Sequence, residues 1–101
     1  MHIISWGKIR DFIRSHPESL CSMRTWFDCL ESRSYKDFSD LRGMFTSADR
    51  VRLKSGQERY VFNVGGNNYR VICGIHFNRS KVYVRFVLTH AEYDKGVWKN
   101  E

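Results

Sequence analysis

The spacing of apolar residues changes once along the chain. In the first half they recur every three to four residues, in two groups: Trp6, Ile9, Phe12 and Ile13, then Leu20, Met23, Trp26, Phe27 and Leu30. This spacing predicts two amphipathic helices, of which the first ends by His16 and the second has Pro17 in its first turn. The run HIIS at residues 2–5 predicts a short strand before them, and residues 38–45 favour a third, short helix.

From residue 51 onward the apolar spacing shortens to two. Three runs each place their apolar residues on one face: Tyr60, Phe62 and Val64; Tyr69, Val71, Cys73, Ile75 and Phe77; Val82, Val84, Phe86 and Leu88. The connections GGN and NRS carry residues that tolerate positive φ, so the runs predict strands joined by antiparallel hairpins. We therefore predict an α+β fold, with a short N-terminal strand and two to three helices on one face of a small antiparallel sheet. A chain of 101 residues has room for one core, so residues 1–101 are expected to form a single domain.

The other face of the three strands is predicted to be polar and basic. Its residues alternate with the apolar ones: Arg59, Val61 and Asn63; Asn68, Arg70, Ile72 and His76; Lys81, Tyr83, Arg85 and Val87. If helices cover only one face, this face is open to solvent. Its arginines would repel each other unless a polyanion or an acidic partner lies across them, and Tyr83 could stack on a base. Taken singly, Arg70 or Arg85 could equally be an ordinary cross-strand surface charge.

The net charge of +6 comes from the same part of the chain. Residues 1–49 hold seven Lys or Arg and seven Asp or Glu, whereas residues 50–89 hold eight basic residues against Glu58 alone. A positive excess confined to one structural element is typical of a surface that binds a polyanion, although a merely solubilising surface would look similar.

Several classes of protein do not fit the sequence. The chain has no apolar run long enough to cross a membrane and no secretory signal pattern, so we expect a cytoplasmic protein without a membrane partner. Cys21, Cys29 and Cys73 form no CxxC pair and are expected to be free thiols. The histidines are scattered and the basic face lacks clustered carboxylates, so neither a metal nor another cofactor is expected.

The segment THAEYDKG, at residues 89–96, predicts a short C-terminal helix directly after the last strand. His90 and Tyr93 are three residues apart and would therefore project on one side of it, beside the basic face. Histidine exchanges protons near neutral pH, and a tyrosine hydroxyl can bind a phosphate. A lone histidine at a strand end is more often structural, but the nearby arginines and tyrosine favour a functional role.

The segments YVFNVGGNNYRV and VYVRFVLTHAEYD, together with the opening MHIIS, resemble the HigB-type toxins of bacterial type II toxin–antitoxin modules, within the RelE/ParE superfamily. The resemblance covers nearly the whole chain and implies the RelE-like fold. It also implies an mRNA interferase, a small endoribonuclease that acts on messages bound at the ribosome and is silenced by a cognate antitoxin, expected to be a helix-turn-helix, HigA-like protein. Carried over by position, the functional residues would be Asn63, Asn67, Arg70, Arg85, His90 and Tyr93.

These inferences combine into one mechanistic hypothesis. Without a metal, the RNA 2′-hydroxyl would attack the adjacent phosphate, with His90 as general base or acid, Arg70 and Arg85 clamping the phosphoryl oxygens, and Tyr93 orienting the phosphate or aiding proton transfer. The expected RNA-binding residues are Arg59, Asn63, Asn67, Asn68, Lys81, Tyr83 and Lys95. Two other classes stay open: a non-catalytic RNA-binding module, and a ParE-like toxin that acts on a protein target.

Overall fold

One five-stranded sheet organises the protein, in a computed structural model that describes residues 1–100. The elements in chain order are β1 (His2–Ile4), α1 (Trp6–Ser15), α2 (Leu20–Glu31), α3 (Phe38–Met44), β2 (Asp49–Arg52), β3 (Glu58–Val64), β4 (Tyr69–His76), β5 (Lys81–Thr89) and α4 (His90–Asp94). Short 3-10 turns occur at Pro17–Ser19, Phe77–Arg79 and Val97–Asn100. The α+β class, the N-terminal strand and the C-terminal helix are as predicted. Glu101, which the single-domain prediction includes, lies outside the described residues.

The strand order is β1-β5-β4-β3-β2, and the sheet is mixed. Strands β2 to β5 are antiparallel to their neighbours, but β1 pairs in parallel with β5, with His2 opposite Lys81. The predicted hairpins among β3, β4 and β5 are antiparallel as expected, but the pairing of β1, which the sequence did not show, makes the whole sheet mixed. Strand β2 was not predicted either, because its sequence DRVR has a single apolar residue and no alternating pattern.

Helices α1 to α3 pack on one face of the sheet, as predicted, and enclose the main core. Helix α1 contributes Ile9 and Phe12, α2 contributes Met23, Trp26 and Leu30, and α3 contributes Leu41. The sheet side of this core is formed by Tyr60, Phe62, Val64, Tyr69, Val71, Cys73, Val82 and Val84. Leu20, which was expected in the apolar stripe of α2, is half exposed, and Trp26 is buried near the centre of that helix face.

Strand β5 contains an irregularity at Arg85. Val84 lies opposite Cys73, but Phe86 lies opposite the preceding residue, Ile72, so Arg85 is one extra residue in the strand. Such a bulge reverses which side the following residues face. Val84 packs in the main core, whereas Phe86 and Leu88 pack on the opposite face. The prediction that Val82, Val84, Phe86 and Leu88 share one face was therefore wrong beyond Arg85.

The face opposite α1–α3, called here the second face, is covered at its centre. The chain after α4 folds back so that Trp98, 3% exposed, packs with Leu53, Val61 and Ile72 in a small second core. The expectation of an open basic face was wrong here, because the sequence gives no periodic signal for this return. Two of its arginines, Arg59 and Arg70, are more than 90% buried. The second face thus has an apolar centre with a group of basic and aromatic residues at either end.

Candidate functional site

The loop between β3 and β4 shapes one end of the second face. Gly65 and Gly66 have φ angles of 63° and 67°, values that favour glycine. A Cβ on Gly65 would lie only 3.1 Å from Ser22 Oγ and 3.2 Å from Tyr69 Cδ2, so the loop packs closely against α2. On its other side, the Asn68 carbonyl oxygen accepts a hydrogen bond from the His90 amide at 3.0 Å. The loop therefore holds the first residue of α4.

The start of α4 is fixed by a capping box. The Glu92 amide donates to Thr89 Oγ1 at 3.2 Å, and the Thr89 amide donates to Glu92 Oε1 at 2.9 Å. This backbone hydrogen bond from Thr89 lowers the pKa of the Glu92 carboxyl. A helix of five residues needs such anchoring, because it has few hydrogen bonds of its own. The cap thereby orients His90 and Tyr93 toward the sheet.

The Arg70 guanidinium is the centre of a cluster at this end. The residue is 7% exposed, and neighbouring groups satisfy its guanidinium. Nη1 donates to the Tyr69 carbonyl oxygen at 3.0 Å, and Nη2 lies 3.4 Å from Asn67 Oδ1 and 3.3 Å from His90 Nδ1. Its guanidinium carbon lies 5.4 Å from the centre of the Tyr93 ring. Of the predicted site residues, the structure thus brings together Arg70, His90, Tyr93 and Asn67, and we call this group the Arg70 cluster.

His90 has a defined hydrogen-bonding direction in this cluster. A guanidinium can only donate, so His90 Nδ1 must accept from Arg70, and the ring proton is on Nε2 in the neutral form. That nitrogen lies 3.3 Å from Asp94 Oδ2. A carboxylate in this position orients an imidazole and stabilises its charged form. The prediction did not include Asp94, although its four-residue spacing from His90 on a helix was a usable signal.

Tyr93 is held in place by Trp98 of the second core. Its ring stacks on Trp98, with centroids 5.2 Å apart, and its carbonyl oxygen accepts a hydrogen bond from Trp98 Nε1 at 3.1 Å. Burial raises the pKa of the Tyr93 phenol, Asp49 and Asp94 raise it further, and Arg70 opposes them. The phenol therefore keeps its proton at neutral pH and can donate it.

A second group of residues lies at the other end of the second face. Its centre is Gly74, where an added Cβ would lie 3.8 Å from Arg59 Nη1 and 4.0 Å from Arg85 Nε. The cavity above it has a volume of about 340 Å³, and its lining residues are Gln57, Glu58, Arg59, Tyr60, Gly74, Ile75, His76, Tyr83 and Arg85. We call this cavity the Arg59–Arg85 pocket.

The structure does not bring Arg85 to Arg70. In the sheet Arg70 lies opposite Leu88, and Arg85 lies over Gly74, four residues further along β4. At the rise of a β-strand this separation is about 13 Å. The hypothesis that both arginines clamp one phosphoryl group therefore needs correction, because the bulge and the intervening second core place them at opposite ends of the second face.

The remaining predicted residues are distributed along the sheet. Asn63 lies opposite Arg70 and is partly exposed, Asn68 contributes backbone hydrogen bonds, and Lys81 lies opposite His76 at the strand end. Lys95 is exposed and directly follows α4. Within residues 1–100, no three His, Cys, Asp or Glu side chains group closely enough to hold a metal ion.

The cysteines lie outside both groups. Cys21 is exposed, Cys29 is partly exposed and Cys73 is buried, and none of them forms a disulfide in the described part of the chain. Burial raises the pKa of the Cys73 thiol, so this group is not a nucleophile at neutral pH. None of the helices in residues 1–100 has the length and apolar character needed to span a membrane.

Comparison with known proteins identifies the family. Residues 21–96 match the model of a family described as HigB_toxin, a RelE-like toxic component of a toxin–antitoxin system. The chain is 33% identical over 94 residues to the mRNA interferase toxin HigB of Escherichia coli strain K12 and to the mRNA interferase HigB of Shigella flexneri, covering 93% of this chain and 88% of each relative. A HigB of Escherichia coli O6:H1 is 30% identical over 95 residues. The chain therefore belongs to the HigB family of RelE-like toxins from toxin–antitoxin systems.

Proposed function

We propose that this protein is the toxin of a type II toxin–antitoxin module and cleaves mRNA at the Arg70 cluster. The proposal rests on one arrangement, the chain of contacts from Arg70 to His90 and from His90 to Asp94. It places a cation, a proton-transfer group and an orienting carboxylate in line. The relatives at 33% identity are named mRNA interferases, so cleavage is favoured over non-catalytic RNA binding or a protein target.

The chemistry needs no nucleophile from the protein. The RNA 2′-oxygen attacks phosphorus, the bond from phosphorus to the 5′-oxygen breaks, and a 2′,3′-cyclic phosphate and a 5′-hydroxyl result. One group must take the 2′-hydroxyl proton and another must protonate the leaving oxygen. We assign the first role to His90, since Nδ1 becomes available when Arg70 Nη2 donates to the phosphate instead, while Nη1 stays on the Tyr69 carbonyl oxygen. Tyr93, which keeps its phenolic proton, is the donor within the same cluster.

Arg70 acts on the charge that develops during the attack. A phosphorane-like transition state carries more negative charge on its equatorial oxygens than the diester, and fixed cations stabilise it preferentially. Burial strengthens this effect, because the guanidinium is only 7% exposed and is held by the Tyr69 carbonyl. Asp94 supports the charged form of His90 after it has accepted the proton.

The partners follow from the same assignment. A toxin of this family has an antitoxin partner and, in our proposal, mRNA as its substrate. We further propose that the message is bound at the ribosome, that the antitoxin is a helix-turn-helix, HigA-like protein, and that the toxin acts in the cytoplasm, where translation takes place. The basic residues of the second face suit a polyanionic substrate of this kind.

Cleavage of ribosome-bound message by purified protein tests the proposal. Products with cyclic phosphate and 5′-hydroxyl ends are expected, and a 2′-deoxy nucleotide at the cleaved position should block the reaction. His90→Ala should lower the rate by about 10²–10⁴-fold. His2→Ala is the matched control, because His2 is exposed on β1 and belongs to neither group. Full activity of His90→Ala, or cleavage of the message that carries the 2′-deoxy nucleotide, would refute the proposed chemistry.

A further inference from the structure

We propose that an apolar cavity beside the Arg70 cluster holds the base of a nucleotide next to the cleaved bond. The cavity has a volume of about 260 Å³, and its lining residues are Phe86, Leu88, Glu92, Lys95, Val97 and Trp98. We call this cavity the Phe86 slot. The inference rests on the proposed RNA cleavage and deepens it, because it gives the base a binding site apart from the reacting phosphate.

Two connections place the Phe86 slot next to the Arg70 cluster. Leu88 lies opposite Arg70 in the sheet, and such a pair projects from the same face of two strands that are about 4.8 Å apart. The chain after α4 makes the second connection, because the Trp98 ring stacks on Tyr93 with centroids 5.2 Å apart. An RNA whose phosphate lies at Arg70 therefore has a neighbouring base within reach of the slot.

The aromatic walls of the slot are held in place by the protein itself. Trp98 is 3% exposed, and its Nε1 donates to the Tyr93 carbonyl oxygen at 3.1 Å. Lys8 Nζ lies 5.8 Å from the centre of the Phe86 ring and donates to the Arg85 carbonyl oxygen at 2.8 Å, which keeps this cation beside the ring. A slot with fixed walls binds a ligand with little loss of side-chain freedom.

The outer rim of the slot leaves apolar surface in contact with water. Val97 is 68% exposed, and Phe86 and Leu88 are partly exposed. One such side chain alone would be ordinary, but these three border the same cavity. A flat apolar ligand in the slot would remove this surface from water.

The charges at the slot favour a neutral group over a phosphate. The backbone hydrogen bond from Thr89 lowers the pKa of the Glu92 carboxyl, so this group is an anion at neutral pH, whereas Lys95 is a cation. Because both residues line the slot, their charges offset each other and a phosphate gains little there. A base is neutral and can pack its ring on the apolar walls. A side chain of a protein partner could also fit, but the position beside Arg70 favours the base of the substrate.

Removal of single bases from a bound oligonucleotide tests the Phe86 slot. We would use a short RNA of mixed sequence with fluorine in place of every 2′-hydroxyl, so that it cannot be cleaved by 2′-oxygen attack. One nucleotide at a time is made abasic, and affinity is measured by fluorescence anisotropy. At one position, wild-type protein should lose about tenfold in affinity. Phe86→Ala should bind the complete oligonucleotide about as weakly and lose nothing further at that position.

Val97→Ala provides a variant with little risk to folding, because Val97 is largely exposed. It should show the same loss of sensitivity as Phe86→Ala, with a smaller decrease in affinity. In both variants the log–log dependence of affinity on salt should keep its wild-type slope, because no phosphate contact is removed. A changed slope would show that the slot binds a phosphate and would overturn the proposal.

Leu20→Ala is the matched control. It removes an apolar side chain that is 51% exposed at the start of α2, on the helix-covered side of the sheet. This variant should keep both the wild-type affinity and the sensitivity to the abasic position. Thermal melting establishes that each variant is folded.

The proposal is overturned if no abasic position weakens binding to wild-type protein, or if Phe86→Ala and Val97→Ala respond to base removal as the wild type does. It is also overturned if both variants keep RNA affinity and instead lose binding of the antitoxin, because the slot would then be a protein-binding site. The expected abasic pattern with an RNA whose 2′-hydroxyl form is never cut would refute the proposed function and leave the slot intact.

Discussion

The two faces of the sheet use burial for different purposes. On the helix-covered face, burial removes apolar side chains such as Phe62 and Val71 from water, which stabilises the fold. On the second face it also encloses Arg59 and Arg70, whose desolvation is unfavourable and is only partly offset by hydrogen bonds. The helix-covered face therefore supplies most of the stability, whereas the second face gives up some stability to hold cations in fixed positions.

Truncation of Phe62 gives the largest expected effect. The ring is 1% exposed and packs edge to face against Trp26 and Phe45, with centroids 5.4 Å and 5.2 Å away. Phe62→Ala should lower the free energy of unfolding by about 3–5 kcal/mol, while the folded fraction keeps its cleavage rate. Urea denaturation measures the stability, and the rate is corrected for the folded fraction.

Phe86→Ala is the matched control on the second face. Phe86 is partly exposed and lines a cavity on the second face together with Leu88 and Lys95, so its loss should cost less stability and more RNA affinity. Equal destabilisation by Phe62→Ala and Phe86→Ala would show that the two faces contribute equally to stability.

Arg70→Met should show the reverse behaviour on the second face. Methionine fills similar space and removes a buried charge, so stability should stay level or rise. The cleavage rate should fall by about 10²–10³-fold, because a cation beside the reacting phosphate is lost. Arg70→Lys should recover only part of the rate, since an ammonium cannot donate as the guanidinium fork does. A stable Arg70→Met protein with the wild-type rate would remove Arg70 from the mechanism.

Local patterns predicted the fold where local physics decides it. Helical spacing located α1 to α3, and alternation located β3, β4 and β5. The bulge at Arg85 could not be predicted, because the residue fits the alternating pattern and only the pairing with β4 shows that it is an extra residue. The return of Trp98 onto Val61 and Ile72 is a long-range contact without a periodic signal.

The candidate site was predictable to the same extent. Arg70, His90 and Tyr93 meet because the hairpin turn and the spacing of α4 are local features. Arg85 was assigned to the same group from strand parity and from the family resemblance, and neither shows how far along the sheet it lies from Arg70. Asp94 was passed over because it lies beyond the last strand, although it faces His90 on the same helix.

Asp94→Asn should have a moderate effect that is confined to catalysis. The amide can still orient His90 but cannot balance the charge of its protonated ring. Because both side chains are more than half exposed, water moderates the loss, and we expect kcat to fall by about tenfold with KM unchanged. Asp94→Glu should recover part of kcat. If KM rises instead, Asp94 acts in RNA binding and not through His90.

The smallest expected effect concerns two carboxylates near helix N-termini on the two sides of the sheet. A backbone hydrogen bond from Thr89 lowers the pKa of Glu92 on α4 below its ordinary value of 4.5, and one from Lys36 lowers the pKa of Asp40 on α3 below 3.8. The unfolded chain then binds more protons, so both carboxylates stabilise the fold above these values and lose that contribution as the pH falls through their folded-state pKa.

Glu92→Gln and Asp40→Asn should therefore each weaken the dependence of the melting temperature on pH below about 5, and Glu92→Gln should cost less than about 1 kcal/mol near neutral pH because Glu92 is exposed to solvent.

Substitutions of Glu92 and Asp40 should differ in their effects on activity. Glutamine can still accept the Thr89 amide, so Glu92→Gln should change the rate only slightly, whereas Glu92→Ala should free the start of α4, displace His90 and slow cleavage several-fold. Asp40→Ala should leave the rate unchanged, because the hydrogen bonds of Asp40 are with Arg33, Lys36 and Asp37, none of which belongs to the Arg70 cluster. Equal slowing by Glu92→Ala and Asp40→Ala would show that a change in α3 on the helix-covered face reaches the Arg70 cluster through the sheet.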